Sequence, residues 1–344
     1  MRKDIYQAIN LCITKGIPFV AYQHPNQSEV EFFSNPTGQH NPIKFYISFF
    51  SQKDENPLII YCELNSIETI FYCNNINTNY KPKIKPFDIS TDFESYEKNI
   101  NNIVSILKES KGKVVISKVI CKEHRITDWA NIAKKYFCNF DNTFRYIYYT
   151  PQTGCWLGAS PEIIISKEAN SEKYKTMALA GTRIKNSQSE WDSKNITEHN
   201  YVTDYIINSM KELGLITIVH DAENVSFGDI EHLCHRIEIH ENKPIAPITL
   251  ATHLSPTPAL AGYPLTDALS LIDKFENHQR LCYGGFIALE TEDKFCAYVN
   301  LRCVHFDQNN FCIYSGGGIT KDSNAKDEWR ETELKISKLK DILS

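Results

Sequence analysis

The C-terminal end of the sequence places a glycine triplet shortly before two glutamates. The triplet occupies residues 316–318, and Glu328 and Glu331 follow in an acidic segment with helical character. Glycine lets a ligand approach the backbone closely, and side chains three apart share one face of a helix. Bare amides followed by paired carboxylates suit a small anionic ligand bridged by a hard divalent cation. A plain turn is the alternative interpretation of the triplet.

Two residues earlier in the chain could transfer protons. Lys113 opens an otherwise apolar strand, where loss of water favours the neutral amine and makes it a candidate general base. Glu162 follows a run of small residues, and a carboxyl group in a partly dry pocket can stay protonated and act as an acid. The alternative for Lys113 is a lysine at a strand end whose side chain reaches water, and the alternative for the segment of Glu162 is an ordinary turn.

Polar groups at one predicted strand end and in the following helix could bind a carboxylate or a cation. Gly181 and Thr182 end a predicted strand and offer an amide and a hydroxyl group. Glu198 lies four residues beyond Lys194, so the two share a helix face. The alternative for Lys194 and Glu198 is an ion pair on the surface.

Two further segments could form walls of a binding site. His232 stands beside apolar residues, where a core histidine is the alternative to a functional one. Residues 254–264 form a proline-rich loop of small side chains that includes Ala259 and Leu260. Such a stiff loop could pack closely around a flat ligand, or it could be a plain connection.

Length, charge and cysteine content exclude several classes of protein. The chain has 344 residues and a net charge of −5 without a basic block, so we expect neither nucleic acid nor an acidic membrane surface as a partner. No apolar run approaches the roughly 18 residues that span a bilayer, and the N-terminus lacks a signal-peptide core. The eleven cysteines form no C-x-x-C pair. We therefore expect free thiols and a cytoplasmic protein.

The pattern of apolar residues favours an α+β fold. We predict helices over residues 3–15, 90–108, 126–136, 190–213 and 265–279, and a C-terminal helix that carries the two glutamates. Strands or apolar runs are predicted over residues 17–22, 45–50, 58–62, 113–117, 144–149, 155–157, 163–166, 174–179, 283–290, 295–306 and 311–314, and a polar loop over 74–85. Consecutive antiparallel strands with separate helices argue against a doubly wound sheet. The length allows one large domain or two smaller ones.

From residue 113 onward, ten short motifs occur in an order that resembles one enzyme family. They are Lys-Val-Val-Ile-Ser, Ala-Ser-Pro-Glu, Leu-Ala-Gly-Thr-Arg, Lys-x-x-x-Glu-His, His-Leu, Pro-Thr-Pro-Ala-x-x-Gly, Tyr-Gly-Gly, Leu-Arg, Gly-Gly-Gly-Ile and Glu-x-x-Glu. Their order and spacing resemble the chorismate-utilising enzymes, and most of all the isochorismate synthases. The resemblance implies one domain over residues 1–344, with a divergent part at 1–110 and a catalytic part at 111–344. The implied architecture has extended antiparallel sheets flanked by helices.

The family resemblance also implies a role for each candidate residue. Lys113 would activate a water molecule that attacks C2 of chorismate, and Glu162 would protonate the departing C4 hydroxyl. Glu198 and Glu331 would hold Mg²⁺, with Glu328 beside them. The residues implied to bind the substrate are Gly181, Thr182, His232, Ala259, Leu260, Tyr283, Arg302, Gly316, Gly317 and Gly318. Among these, Arg302 and the triplet would bind the pyruvyl carboxylate.

Two positions distinguish between members of the family. Lysine at 113 favours water as the nucleophile, because ammonia-using members usually carry glutamine there. Ala180 stands where aminodeoxychorismate-forming enzymes carry a nucleophilic lysine. The sequence therefore predicts an isomerase that makes isochorismate for menaquinone or siderophore biosynthesis, as a monomer. A salicylate synthase and a non-catalytic chorismate-binding protein are the alternatives. Ser255, Leu281-Cys282 and Asn300 depart from the family pattern and affect the expected pocket shape.

Overall fold

The computed structural model describes residues 4–35, 43–50, 56–62, 70, 90–110, 112–124, 126–187, 190–227, 230–241, 243–307 and 309–343. The polar loop predicted at 74–85 lies outside these residues. Within the described ranges, no helix is both long enough and apolar enough to cross a membrane.

Seven helices occur in the described part of the chain. They are α1 (Ile5–Lys15), α2 (Phe93–Glu109), α3 (Trp129–Phe137), α4 (Ser193–Glu212), α5 (Pro247–Leu254), α6 (Leu265–Phe275) and α7 (Ala325–Leu343). The N-cap of α4 shows how the chain starts a helix that will carry site residues. The side chain of Asp192 accepts a hydrogen bond of 2.7 Å from the backbone amide of Asn195, which satisfies an amide that lacks an intrahelical partner.

The strands of the described residues are mostly short. In chain order they are β1 (Phe19–Gln23), β2 (Glu31–Ser34), β3 (Lys44–Ile47), β4 (Leu58–Tyr61), β5 (Lys113–Glu123), β6 (Phe144–Thr150), β7 (Gly154–Ser160), β8 (Ile163–Glu168), β9 (Lys173–Ile184), β10 (Ile216–Val219), β11 (Glu223–Phe227), β12 (Ile230–His240), β13 (Gly262–Tyr263), β14 (Phe286–Glu290), β15 (Lys294–Val299), β16 (Cys303–Phe306) and β17 (Asn310–Ile319).

The strands form two large antiparallel sheets, which confirms the predicted α+β class. The first sheet has the order β13-β5-β17-β16-β7-β6-β1-β2, and the second has the order β10-β12-β9-β8-β15-β14-β3-β4, with β11 also paired to β12. A core cluster takes buried residues from both sheets, for example Tyr146 from the first and Ile165 from the second. The core therefore lies between the sheets, while α7 packs on β17 and α4 packs on β9.

The chain passes from one sheet to the other at two places that matter for function. Pro161 and Glu162 link β7 of the first sheet to β8 of the second. Residues 300–302 link β15 of the second sheet to β16 of the first. Side chains in these links can point into the space between the sheets, because neither link belongs to a ladder.

Several predicted elements differ from the observed ones. The glycine triplet is not a turn but the end of β17, where residues 316–318 pair with residues 117–115 of β5. The strand predicted at 295–306 is two strands, because the chain changes sheet between them. The helix predicted over 265–279 ends at Phe275, because Glu276 adopts an extended backbone. Strands β2 and β10 to β12 and helix α5 were not predicted.

The expectation of free thiols is wrong for one pair of cysteines. Cys121 of β5 and Cys312 of β17 stand directly opposite each other and form a disulfide. The two residues are 191 positions apart in sequence, so no local pattern could indicate the pairing. The other cysteines of the described residues are free, and most of them are buried.

Candidate active site

Most of the predicted site residues line one cavity of about 110 Å³ between the sheets and α7. The predicted residues in its wall are Glu162, Gly181, Thr182, Glu198, His232, Ala259, Leu260, Tyr283, Arg302, Gly316, Gly318 and Glu331. Lys113, Gly317 and Glu328 are absent from the wall, and each of them lies directly behind a residue that lines it or beside one. The chain therefore brings together groups that are up to about 170 residues apart, from Glu162 to Glu331.

The glycine triplet is required because three side chains lie against it. A β-carbon at the first position, Gly316, would lie 2.8 Å from the hydroxyl oxygen of Tyr283. At the second position it would lie 3.1 Å from Oε2 of Glu328, and at the third only 2.5 Å from Oε1 of Glu198. The missing side chains thus create the space in which two of the candidate carboxylates stand.

Each of the three carboxylates proposed for the metal is paired with a lysine. The ion pairs, given as nitrogen–oxygen distances, are Lys113 with Glu198 at 2.9 Å, Lys194 with Glu328 at 2.7 Å, and Lys335 with Glu331 at 2.8 Å. We call these six residues the lysine-paired side of the cavity. As the side chains stand, the described residues contain no group of three or more His, Cys, Asp or Glu side chains that could hold a metal ion.

Lys113 begins β5, and its side chain is completely buried. Its ammonium group reaches the cavity through Glu198, whose side chain is partly exposed to the cavity. The charge of Lys113 also acts on Glu162, where it partly opposes the rise in pKa that burial causes. The interpretation of Lys113 as a solvent-seeking strand-end lysine is therefore wrong.

Unlike Lys113, which forms an ion pair, Glu162 is buried in the described structure without one. It lies in the first link between the sheets, where its backbone carbonyl accepts a 3.0 Å hydrogen bond from the amide of Val299. Its carboxyl group lines the cavity and has no ion-pair partner among the described residues. Burial raises the pKa of Glu162 to about 8, even though Lys113 opposes the shift. A carboxyl group of this kind holds its proton near neutral pH and can donate it.

The two candidate site glutamates of α7, Glu328 and Glu331, differ in their pKa. Burial raises the pKa of Glu331, but the charges of Lys335 and Lys194 outweigh burial and hold this pKa below the ordinary value. For Glu328 burial prevails over Lys194, so its pKa is raised. Oε2 of Glu328 is buried and has no hydrogen-bond partner, while Oε1 accepts hydrogen bonds from Lys194 and from Ser323. The free oxygen is an unused acceptor at the site.

Arg302 is positioned by an unusual backbone in the second link between the sheets. Its φ angle is 46°, in the left-handed region that non-glycine residues rarely adopt. The hydroxyl group of Tyr136 donates a 2.9 Å hydrogen bond to the carbonyl of Arg302 and supports this conformation. The guanidinium lines the cavity, lies over the ring of Phe227, and has no carboxylate partner in the described part of the chain. Burial lowers its pKa to about 10, so it remains a cation.

His232 is neutral and has a defined tautomer. Burial and the charges of Arg302 and Lys335 lower its pKa to about 3. Nδ1 lies 2.8 Å from the carbonyl oxygen of Gly181, so Nδ1 carries the proton and donates it. Nε2 is therefore free to accept a hydrogen bond from a ligand.

The backbone amide of Thr182 is already hydrogen-bonded within the fold. The amide donates a 3.0 Å hydrogen bond to Oδ1 of Asn195 in the first turn of α4. Its hydroxyl group lies 3.2 Å from Nδ1 of His232. Thr182 thus contributes to the wall as a residue that fixes the histidine and the helix.

Lys335 is the functional residue that the sequence analysis missed. It lines the cavity, pairs with Glu331, and donates a 3.0 Å hydrogen bond to the carbonyl of Gly316. Its spacing of four residues from Glu331 places both on one face of α7, and this spacing could have indicated it. Tyr314 was also missed, and its ring stacks on Tyr283 in the wall with 5.4 Å between centroids.

Comparison with known proteins shows the family to which the chain belongs. The family of chorismate binding enzymes matches residues 37–344. The chain therefore belongs to the chorismate binding enzymes, which confirms the family resemblance.

Individual relatives are similar to this chain over part of their length. Isochorismate synthase EntC of Escherichia coli strain K12 is 27% identical over 215 residues, which cover 58% of this chain and 54% of EntC. The salicylate biosynthesis isochorismate synthase of Pseudomonas aeruginosa is 26% identical over 273 residues, or 72% of this chain and 54% of the relative. The aligned regions thus span about half the length of these curated relatives.

Solved structures confirm the fold over nearly the whole chain. The menaquinone-specific isochorismate synthase MenF of Escherichia coli has a TM-score of 0.80 at 18% identity, with 100% of this chain and 92% of MenF covered. Anthranilate synthase component I of Streptococcus pneumoniae has a TM-score of 0.64 at 16% identity, with 100% and 86% covered. At these identities the similarity shows the shared fold.

Proposed function

We propose that the protein is an isochorismate synthase, an isomerase that adds water at C2 of chorismate and removes the C4 hydroxyl group. The observation that carries this proposal is the contrast between Glu162 and Lys113 at one cavity. The carboxyl group of Glu162, with a pKa of about 8, lines the cavity, and the buried amine of Lys113 lies behind Glu198, which lines the cavity as well. The membership of the chorismate binding enzymes supplies the substrate class.

The reaction requires one proton to be removed and one to be delivered. Water is a poor nucleophile until it loses a proton, and hydroxide is a poor leaving group until it gains one. Lys113 would take the proton from the attacking water, and Glu162 would give its proton to the departing oxygen. Because a base must have a free lone pair, Lys113 would act as the neutral amine, after it has released its proton to water and broken its ion pair with Glu198.

Each turnover leaves Lys113 with an added proton and Glu162 without one. The two groups must exchange this proton before the next cycle, directly or through water. The electrostatic effect of Lys113 on Glu162 favours the ionised carboxylate after the proton has left.

Recognition of the substrate would use the cations and the small residues of the wall. Arg302 is a buried cation that has no carboxylate partner among the described residues, which suits a bidentate contact with the pyruvyl carboxylate of chorismate. The backbone of residues 316–318 would lie against the same group. Nε2 of His232 would accept a hydrogen bond from a substrate hydroxyl. Ala259 and Leu260 would pack on the face of the ring.

The carboxylates of the lysine-paired side fit a magnesium ion. Glu198 and Glu331 would hold it, and Glu328 offers a buried oxygen that has no partner. Magnesium binds few protein carboxylates and keeps several water molecules, which agrees with so small a set. The bound ion would neutralise and orient the ring carboxylate of chorismate.

Product analysis tests the proposal. The purified protein is incubated with chorismate and Mg²⁺, and the product is identified by mass and by its reaction with isochorismatase. An isomer of chorismate that isochorismatase consumes is expected, together with loss of activity on chelation and recovery on adding Mg²⁺. Release of pyruvate in a lactate dehydrogenase-coupled assay would instead identify a salicylate synthase. Thermal stabilisation by chorismate without turnover would identify a binding protein.

The biological setting remains part of the proposal. We infer a cytoplasmic monomer that supplies isochorismate to menaquinone or siderophore biosynthesis. Light scattering after size-exclusion chromatography tests the monomer, and the genes adjacent to this one indicate the pathway.

A further inference from the structure

The outer edge of β5 is incompletely covered by strands. The two residues of β13 pair only with Val114 and Lys113 at the start of β5. Within the described residues no strand continues along this edge beyond them. The next outward-facing backbone groups belong to Val115 and Ser117, which are buried. Buried amides and carbonyls need hydrogen-bond partners.

A buried ion pair supplies those partners. Nη2 of Arg280 donates a 2.6 Å hydrogen bond to the carbonyl of Val115. Oε1 of Glu276 accepts a 2.6 Å hydrogen bond from the amide of Ser117. The two side chains also bind each other twice, at 2.5 Å and 2.9 Å, and they are only 1% and 3% exposed. The pair thus takes the place of a neighbouring strand.

The same guanidinium also holds the proline-rich loop. Nη1 of Arg280 donates a 2.7 Å hydrogen bond to the carbonyl of Leu260. The next residue, Ala261, accepts a 2.9 Å hydrogen bond from the amide of Val115. Leu260 and Val115 both line the candidate active site. One side chain therefore bridges the strand that begins with Lys113 and the adjacent loop of the wall, in addition to the direct bond between Val115 and Ala261.

We propose that Arg280, held by Glu276, is a positioning residue that sets the spacing between Lys113 and the wall at Ala259 and Leu260. The inference rests on the proposed function, because Lys113 and that wall matter as parts of the same reaction site. The planar guanidinium reaches three groups in different directions, whereas a lysine offers a single nitrogen. Arg280→Lys keeps the charge and removes the simultaneous contacts.

Arg145→Lys is the matched control. Arg145 is also a buried arginine whose guanidinium donates to backbone carbonyls, including that of Phe137 at 2.8 Å. None of its partners lines the cavity. Both variants and the wild-type protein are compared by amide hydrogen exchange over residues 113–119 and 257–263, and by kcat/KM at a temperature where all three are folded.

Faster exchange in both segments of Arg280→Lys, with neither affected in Arg145→Lys, is the expected result. We also expect kcat/KM to fall at least about tenfold in Arg280→Lys, because small displacements of a reacting group are costly, and to change less than twofold in the control.

Unchanged exchange in the two segments, or activity losses that merely follow the loss of Tm in both variants, would overturn the proposal. If Arg280→Lys does not fold, Glu276→Gln is measured in the same way, with the same two outcomes. If the wild-type protein turns over no chorismate, the exchange data still decide the positioning claim.

Discussion

Glu162 and Glu331 line the same cavity, yet their surroundings act on them in opposite directions. Glu162 contacts no cationic side chain in the described ranges, and burial raises its pKa to about 8. Glu331 contacts Lys335 at 2.8 Å, and its pKa is held below the ordinary value despite burial. The surroundings of the two carboxyl groups thus favour the protonated form of Glu162 and the ionised form of Glu331.

The comparison extends to the elements that carry the two groups. Glu162 lies in a link between the sheets and forms no ion pair within the described residues, although the charge of Lys113 acts on it. The three glutamates of the lysine-paired side lie on α4 and α7, and each meets a lysine from its own or a neighbouring element. The three glutamates of the lysine-paired side are thus held close to cations, whereas Glu162 forms no ion pair among the described residues.

The largest effect is expected for removal of the amine opposite Glu162. Lys113→Met should lower kcat by about 10⁴-fold, at the upper end for loss of a general base, because it also leaves Glu198 without its partner. Lys118→Met is the control, since Lys118 is an equally buried lysine of β5 that pairs with Glu333 away from the cavity. Steady-state kinetics with chorismate measure both. Equal activity in the two variants would contradict a catalytic role for Lys113.

Replacing the proton donor should have the next largest effect. Glu162→Gln keeps the size of the side chain but carries no acidic proton, so kcat should fall about 10²- to 10³-fold. Glu333→Gln changes a lysine-paired glutamate of α7 outside the cavity and should leave kcat within about twofold. A Glu162→Gln variant with wild-type kcat would show that the departing oxygen obtains its proton elsewhere.

A smaller loss is expected when the space beside Glu198 is filled. In Gly318→Ala the new methyl group would lie 2.5 Å from Oε1 of Glu198, so the carboxylate must move. We expect kcat/KM to fall about tenfold and the Mg²⁺ concentration for half-maximal rate to rise. Gly214→Ala serves as the control, because a β-carbon there meets no atom within 4 Å, and its kinetics should not change. If Gly318→Ala shows the same dependence on Mg²⁺ concentration as the wild-type protein, Glu198 does not hold the metal.

The smallest effect concerns stability and has opposite signs for the two carboxyl groups. Because the pKa of Glu162 is raised from 4.5 to about 8 on folding, the folded state binds its proton more tightly, and stability falls as the pH rises between these values. For Glu331 the folded pKa is lowered, so stability is lost as the pH falls below 4.5. Glu162→Gln should therefore raise Tm at pH 8.5 by about 3 °C and leave it nearly unchanged at pH 4.5. A decrease of Tm at pH 8.5 would mean that Glu162 is stabilised as the anion.

The comparison also shows which features could be predicted from sequence. The α+β class follows from local patterns, and the spacing of Glu328 and Glu331 places both on one helix. The partners that give the glutamates their character could not be predicted as readily. Lys113 and its partner Glu198 are 85 residues apart in sequence, and Lys194 and its partner Glu328 are 134 residues apart. Only the pair of Glu331 and Lys335 lies within one helical turn.

The glycine triplet illustrates the limit of local interpretation. Glycine-rich segments usually indicate turns, but residues 316–318 continue β17 because β5 provides a complete ladder. Their small size is required by Tyr283, Glu328 and Glu198, which come from distant parts of the chain. In the same way, the change of sheet at Arg302 depends on which strands pair, and nothing within residues 295–306 indicates it.

Turnover in water enriched in ¹⁸O tests most directly whether the new hydroxyl group comes from a base-activated water molecule while the C4 oxygen departs. If Lys113 activates a water molecule and Glu162 expels the C4 oxygen, each isochorismate molecule gains one ¹⁸O at C2, and the unlabelled C4 oxygen leaves as water. Mass spectrometry of the product therefore shows a complete shift by one isotope substitution without pyruvate. An unlabelled isomer, in which the hydroxyl group has moved within the molecule, would contradict the proposed roles of both residues.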